Sequence, residues 1–417
     1  MRPSSLRLQW RDRVGFAPTS LFTRAVSVVA PSLALLDFLR DSAVRTRLEA
    51  AGLAAIDDKL RAGERLTQED GEHLFAVPDL LAVGWLANRE REKRHGARTY
   101  FNYNLRLEAT NVCVANCLFC SFARLKPGDD GAYTMSLEQA FDKLRQRAHQ
   151  PLTEVHIVNG LHPDLPFSYY TDLLRGLKQI RPSIHLKCFT AVEIAFFADL
   201  YGMTDEQVLR ELMDAGLQSL PGGGAEVFAD RVRQKICADK CGTDRYLEIH
   251  AVAHRLGLRS NVTMLYGHIE TMAERVDHML RARALQDETG GFQAFIPLAF
   301  HPDNNQMRKL PAPPGTDTLR VHAVARLMCD NIPHIKAFWI ATGLELAQTA
   351  LWFGVDDLDG TVQEERIYHM AGSVTPEIMT TRQLTRLVSA AGREPLERDT
   401  LYNIVTSPQA LHEAAAG

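Results

Sequence analysis

The sequence contains no apolar run of about 18 residues or more, the length a helix needs to span a bilayer, so no membrane-crossing helix is expected. It also lacks a charge bias. Its 47 Lys and Arg against 51 Asp and Glu leave a formal net charge of −4 over 417 residues. Nucleic-acid binding usually needs a concentrated basic face, and none is foreshadowed. The seven cysteines, at 113, 117, 120, 188, 237, 241 and 329, are an odd number with no regular framework, which argues against a secreted disulfide scaffold. The glycine-rich stretch LPGGGAE (220–226) lacks the Lys-Ser/Thr of a phosphate loop, so a nucleoside-triphosphate site is not indicated. The apolar segment 25–36 follows a long basic stretch and is interrupted by Pro31, unlike a signal peptide. Residues 1–31 read as a flexible extension, and a cytoplasmic location is expected.

What is present, 46% hydrophobic and 24% charged residues, is the balance of a folded soluble protein. From about 32 to 100, apolar residues recur three and four apart, as in LALLDFLRDS, which predicts a helical N-terminal region. From 101 to 365 the texture alternates. Strand-like runs at 103–107, 154–158, 184–189, 217–220, 259–265, 291–298 and 335–340 are separated by amphipathic stretches. The helices fall at 136–148, 167–180, 204–215, 243–256, 271–287 and 316–329. Such strand–helix pairs predict an α/β fold, a full or partial (β/α) TIM-type barrel with helical additions at both ends. Loops leaving the strand C-termini should then carry the chemistry. The tail, 366–417, reads as small helices at 375–391 and 400–404 packing on the barrel.

Cys113, Cys117 and Cys120 crowd into eight residues with the spacing C-x3-C-x2-C, directly after a predicted strand. Thiolates suit iron held by bridging sulfides. Three of them ligate three irons of a 4Fe–4S cubane and leave the fourth open. A zinc site would want a fourth Cys or His at a regular offset, and the nearest histidine, His156, lies 36 positions beyond Cys120. Cys237 and Cys241, in CADKC, have no further ligands nearby and read as ordinary thiols.

In motif and position this segment resembles the radical SAM superfamily. The resemblance implies that the open iron is chelated by S-adenosylmethionine (SAM), and that an electron cleaves SAM to methionine and a 5′-deoxyadenosyl radical. It implies that Phe119 packs beside cluster and adenine. Asn159 and Gly160, in VHIVNGLHPDLP, would form a turn whose carbonyls accept from the SAM ammonium, or simply end a strand. Glu193, in FTAVEI, could accept from both ribose hydroxyls, or be an ordinary solvated carboxylate. Tyr266, in MLYGHIE, could flank the adenosyl group. His268 and Glu270 would face the cavity or belong to a helix N-terminal cap.

Together with LPGGGAE, GGFQAFIPLAFHPDNN and GVDDLDGTV, these motifs resemble the aminodeoxyfutalosine synthase family from about 104 to 405. That resemblance implies a substrate, 3-[(1-carboxyvinyl)oxy]benzoate, whose enol-ether double bond accepts the adenosyl radical. Decarboxylation then gives 6-amino-6-deoxyfutalosine on the way to menaquinone. SAM is consumed, and a flavodoxin- or ferredoxin-type protein supplies the electron. Candidate catalytic residues are His268, Glu270, His301 and Asp356, with Asn304, Asn305, Asp357, Asp359 and Lys336 as further candidates for the substrate carboxylates. Related enzymes, of the dehypoxanthine futalosine cyclase or deazaflavin synthase type, share the cluster spacing and remain the alternative. A non-catalytic Fe–S or zinc-binding protein is the rival from another class.

Overall fold

The structure, a computed structural model, describes residues 33–406. The extension expected at 1–31 therefore lies outside the described residues. The fold is the unit from Thr46 onward, and the described part of the unit before it is the start of α1 (Leu33–Ala50). Three helices follow: α2 (Ala54–Ala62), α3 (Gln68–Ala76) and α4 (Leu80–His95). Thr67 and Asp70 form a capping box at the start of α3, and the Asp79 carboxylate caps α4.

The chain then runs β1 (Arg98–Asn102), β2 (Asn104–Leu107), α5 (Leu137–Arg145), β3 (Glu154–Ile157), α6 (Phe167–Ile180), β4 (His185–Cys188), α7 (Ala191–Tyr201), α8 (Asp205–Ala215), β5 (Ser219–Leu220) and α9 (Asp230–Ile236). It continues through α10 (Thr243–Arg255), β6 (Arg259–Tyr266), α11 (Met272–Thr289), β7 (Phe292–Ala299), α12 (Gly315–Met328), β8 (His334–Ile335), α13 (Trp339–Thr342) and α14 (Leu344–Ala350). The last elements are β9 (Asp357–Gly360), α15 (Ile367–Met370), α16 (Thr381–Ala390), β10 (Glu394–Arg398) and β11 (Ile404–Thr406). Helix α3 packs on α11, and α4 lies along α12.

Seven strands form one curled sheet in the order β2-β3-β4-β5-β6-β7-β8, with parallel pairing throughout. The expected barrel is thus partial, because β8 and β2 do not pair. The gap between them is occupied by 357–363. On one side Ala337 N–H donates to Asp357 O, and on the other Arg106 N–H donates to Gln363 O, both at 2.9 Å. This segment also belongs to a second sheet of order β11-β10-β1-β9 at the end of the barrel where the strands begin.

Several features differ from the sequence expectation, among them the strand expected at 335–340, which ends at Ile335 and gives way to α13 from Trp339. The helix expected at 400–404 is absent, and the tail instead adds β10 parallel to β1, so backbone pairing with Arg98–Asn102 overrides the local pattern. Helix α7 carries no periodic signal because Ala191, Val192, Ile194, Ala195 and Phe197 are buried around its circumference, leaving no polar face to set a period. Its entry is held by Phe189, whose φ of 59° is left-handed and costs about 1–2 kcal/mol. Burial of the ring edge-on against Tyr170 and Phe197, with centroids at 5.7 and 5.5 Å, contributes about 1.5–3 kcal/mol and offsets it. That turn carries Thr190 and Glu193 to the open end of the barrel.

Candidate active site

The loop after β2 holds the three cysteines by its own backbone and by its neighbours. Cys113 N–H donates to Arg124 O and Arg124 N–H to Asn111 O, both at 2.8 Å. The Arg124 guanidinium also donates to the carbonyls of Ser121, Phe122 and Ala123. Farther along, Val114 N–H donates to Leu161 O, Leu118 N–H to Ile236 O, and Asn116 N–H to the Asp239 carboxylate. All three thiols are free and line one cavity of about 290 Å³. Burial pushes the Cys117 thiol up to about 12, opposed by the Lys240 ammonium, and burial also raises Cys113. Lys240 pairs with Glu226 at 2.6 Å and lies 5.2 Å over the Phe119 ring.

A single tetrahedral zinc with bonds of about 2.3 Å would draw sulfurs to within roughly 4 Å of one another. Among the described residues, the ligand atoms that all lie within 4.8 Å of one another belong to His95, His334 and Asp356, and not to the three thiols. Three free thiols spaced more widely around a cavity fit the corners of a multi-iron cluster better than one ion.

The Asn159–Gly160 turn, after β3, is pressed against this loop. A Cβ at Gly160 would sit 2.2 Å from Val112 O, so only glycine fits. Asn159 Oδ1 accepts from Ala109 N–H at 2.7 Å, while its buried Nδ2 has no partner. Glu193 is the N3 residue of the α7 capping box and also reaches this turn. Its Oε1 accepts from Asn159 N–H at 2.9 Å, and its Oε2 accepts from Thr190 N–H and Thr190 Oγ1. Burial raises its carboxyl to about 7 against those donors. A carboxylate offers about four acceptor positions, so three are filled and one remains on Oε1.

Across the cavity, Gly222 approaches the Asn261 backbone, where a Cβ would be 2.8 Å away. Its carbonyl accepts from Tyr246 and from Thr263, both at 2.7 Å. The floor is basic. Lys187 pairs with Glu154 at 2.7 Å, and Asp359 takes Lys336 at 2.8 Å and Arg106 at 2.5 Å. Burial alone would raise the Asp359 carboxyl, but Lys336 and Arg106 hold it well below the usual carboxylate range. Asp359, Val362 and Glu364 have φ of 68°, 48° and 64°, a strained stretch that turns Asp359 into the cavity.

The cavity brings together Cys113, Cys117, Cys120, Phe119, Asn159, Gly160, Glu193, His301, Lys336 and Asp359. His301 Nε2–H donates to Ala341 O at 2.8 Å, with Tyr368 edge-on at 5.2 Å. Seven candidates lie elsewhere. Tyr266 is fully buried behind the wall, donating to Thr318 Oγ1 at 3.0 Å with Arg275 5.6 Å over its ring. His268 and Glu270 lock their own loop. His268 Nε2–H donates to Leu265 O, and Glu270 accepts from Gly267 N–H, His268 N–H and Arg275. Asp356 is buried at the opposite end with Arg326 and His334, because it precedes β9 and is held there by the Ile335 backbone. Asn304 and Asn305 brace loops, donating to Met370 O and His301 O. Asp357 is engaged by Arg398 at 2.7 Å.

Sequence reasoning passed over Arg106, Glu108, His156, Lys187, Lys240 and Glu365, which also line the cavity. The signal was present: polar residues alternate with apolar ones in LRLE (105–108) and VHI (155–157), as they do where strand interiors face a ligand space.

Two family models match the chain: the radical SAM superfamily over residues 107–282, and the CofH/MqnC C-terminal region over 289–411. Over 85% of its length the chain is 49% identical to aminodeoxyfutalosine synthase of Thermus thermophilus, covering 96% of that protein. It is also 40% identical, over 76% of its length and 88% of the relative's, to the 5-amino-6-(D-ribitylamino)uracil–L-tyrosine 4-hydroxyphenyl transferase of Methanopyrus kandleri. The FeFe-hydrogenase maturase of Carboxydothermus hydrogenoformans shares the fold, with a TM-score of 0.67 at 17% identity over 88% of this chain and 84% of that one. The chain belongs to the radical SAM superfamily of enzymes, in the branch that carries the CofH/MqnC C-terminal region.

Proposed function

We propose that Cys113, Cys117 and Cys120 hold a 4Fe–4S cluster that binds SAM, and that the enzyme joins the adenosyl carbon to an enolpyruvyl benzoate with loss of a carboxylate, giving 6-amino-6-deoxyfutalosine. The observation that carries this reading is 49% identity over 96% of the length of an aminodeoxyfutalosine synthase. When bound, the cluster and SAM supply a 5′-deoxyadenosyl radical, with the electron coming from a flavodoxin- or ferredoxin-type donor.

The chain's own residues bind and orient. The Asn159–Gly160 turn presents backbone carbonyls beside the cysteine loop, held there by Glu193. The free acceptor position on Glu193 Oε1 takes one ribose hydroxyl. The unpartnered Asn159 Nδ2 offers a donor to the same ligand. Phe119, with Lys240 5.2 Å over its ring, lines the cavity beside the cysteines. The wall of Ile296, Leu298 and Phe338 is apolar and keeps water from the reacting carbons.

The test is anaerobic incubation of the reconstituted protein with SAM, a reductant and 3-(1-carboxyvinyloxy)benzoate, followed by mass analysis. The reading expects an adduct containing the adenosyl group and the substrate less one carboxylate. Stoichiometric free 5′-deoxyadenosine without adduct contradicts it. The 40% identity to the tyrosine 4-hydroxyphenyl transferase favours a second reading, and consumption of L-tyrosine in the same assay would select that one.

A further inference from the structure

We infer that the cavity floor formed by Arg106, Lys187 and Lys336 is an anion seat that receives an aryl carboxylate, so that an aromatic acid enters the barrel carboxylate-first. This rests on the proposed function and adds to it the residues that select the substrate class.

Most carboxylates around the cavity have partners of their own. Glu226 pairs with Lys240 at 2.6 Å, Glu365 with His369 at 3.1 Å, and Asp357 with Arg398 at 2.7 Å. Glu193 is met by N–H groups. Glu108 is largely neutral at pH 7, because burial and the neighbouring Glu365 push it up to about 8. The floor is different. Counting Asp357, which lies 3.8 Å from Lys336, together with its own partner Arg398, it sets four cations, Arg106, Lys187, Lys336 and Arg398, against three carboxylates, Glu154, Asp357 and Asp359, and so carries one positive charge in excess.

That excess charge is buried. The Lys187 and Lys336 side chains are 4% and 3% exposed. A buried charge without a counterion is destabilising, and the molecule has no reason to retain one unless a ligand completes it. Hydrogen bonding points the same way. Arg106 Nε is buried with no acceptor, although Nη2 is on Asp359. Lys187 Nζ has three donors and one hydrogen-bonded partner, Glu154. The floor therefore holds both a spare charge and spare donors, which one carboxylate satisfies together.

The wall above the floor specifies the rest of the ligand. The Arg106 guanidinium lies 5.2 Å over the Phe338 ring, and Ile296 and Leu298 continue that apolar surface towards the cysteine loop. A flat apolar ring joined to a carboxylate matches that sequence of surfaces. An aliphatic dication or a neutral sugar does not.

The test uses the anaerobically reconstituted full-length protein and two near-isosteric compounds, 3-hydroxybenzoate and 3-hydroxybenzamide, with binding measured by calorimetry. Wild type should bind the acid roughly 10- to 100-fold more tightly than the amide, the range for a charged hydrogen-bonded contact. Arg106→Gln should lose most of that preference while keeping wild-type iron content, and Arg106→Lys should recover part of it. Equal binding of acid and amide by the wild type overturns the proposal without any variant. So does an undiminished preference in folded Arg106→Gln. Product analysis with the enolpyruvyl benzoate is separate: a failed adduct assay beside a strong acid preference would refute the reaction and leave the anion seat standing.

Discussion

Asp356 and Asp359 lie three residues apart yet serve opposite ends of the barrel. Asp356, at the closed end, is saturated from within. Its Oδ1 accepts from Arg326 and from Ile335 N–H, and its Oδ2 accepts from His334, with His95 at 3.5 Å. Tyr402 stacks on His334 at 3.6 Å and fixes that ring. Asp359, on the floor of the cavity that opens at the other end, shares that cavity with groups that keep unused valences, Arg106 Nε and Asn159 Nδ2 among them. Burial and charge are common to both ends. What separates a structural network from a binding site is whether its polar groups are already satisfied.

The sharpest break between the two ends is expected at the cysteines. Cys113→Ala, Cys117→Ala or Cys120→Ala should reduce SAM cleavage to background, read as 5′-deoxyadenosine by chromatography, because each removes a cluster ligand. Full activity in any of the three would remove the open end from the mechanism. Next in size is Asp356→Ala. It leaves Arg326 buried and unpaired, and should lower stability by about 3–5 kcal/mol in urea titration. SAM affinity of the folded fraction should stay at the wild-type value. A variant of normal stability with impaired SAM binding would show that the closed end is functional after all.

A smaller effect belongs to Glu193→Ala. Loss of the tether to Asn159 should weaken SAM binding roughly 10-fold with iron content unchanged, measured by equilibrium binding to the loaded protein. An unchanged affinity would mean that the turn holds its place without Glu193. The smallest concerns His369, raised to about 9 chiefly by its hydrogen bond to Glu365. A histidine raised on folding stabilises fully below its unfolded value of about 6.5, and that contribution is lost as pH rises through about 9. The urea midpoint of the wild type should therefore fall between about pH 6 and about pH 9.5 by more than that of His369→Gln. Parallel curves would show that the pair adds nothing to folding.

Much of this was legible in the sequence. Helix starts were marked by capping pairs such as Ser136/Gln139 and Thr204/Gln207, and the strands by short apolar runs between them. The cysteine spacing, Asn159–Gly160 and Glu193 could be read because each is a local pattern. Tyr266 was not separable from true cavity residues, since a one-residue step along a strand reverses the direction of a side chain; His268 and Glu270 were not, because their loop closes on Leu265 and Arg275 without any periodic pattern, and Asp356 was not, because its place is set by Arg326 and His334 far along the chain. Whether Arg106 meets Asp359 is decided by a contact 253 residues apart in sequence, which no local window contains. Strand β9 was hidden for a similar reason: DLDG has little β-propensity, and its place is set by β1 on one side and the gap in the barrel on the other.

The account stands on three thiolates holding an iron–sulfur cube whose fourth iron accepts SAM. Electron paramagnetic resonance of the anaerobically reconstituted, dithionite-reduced protein tests this directly. The account predicts a reduced-cubane signal that changes shape when SAM is added and disappears in Cys117→Ala. A protein with no cubane signal, or with one that is indifferent to SAM, would contradict it.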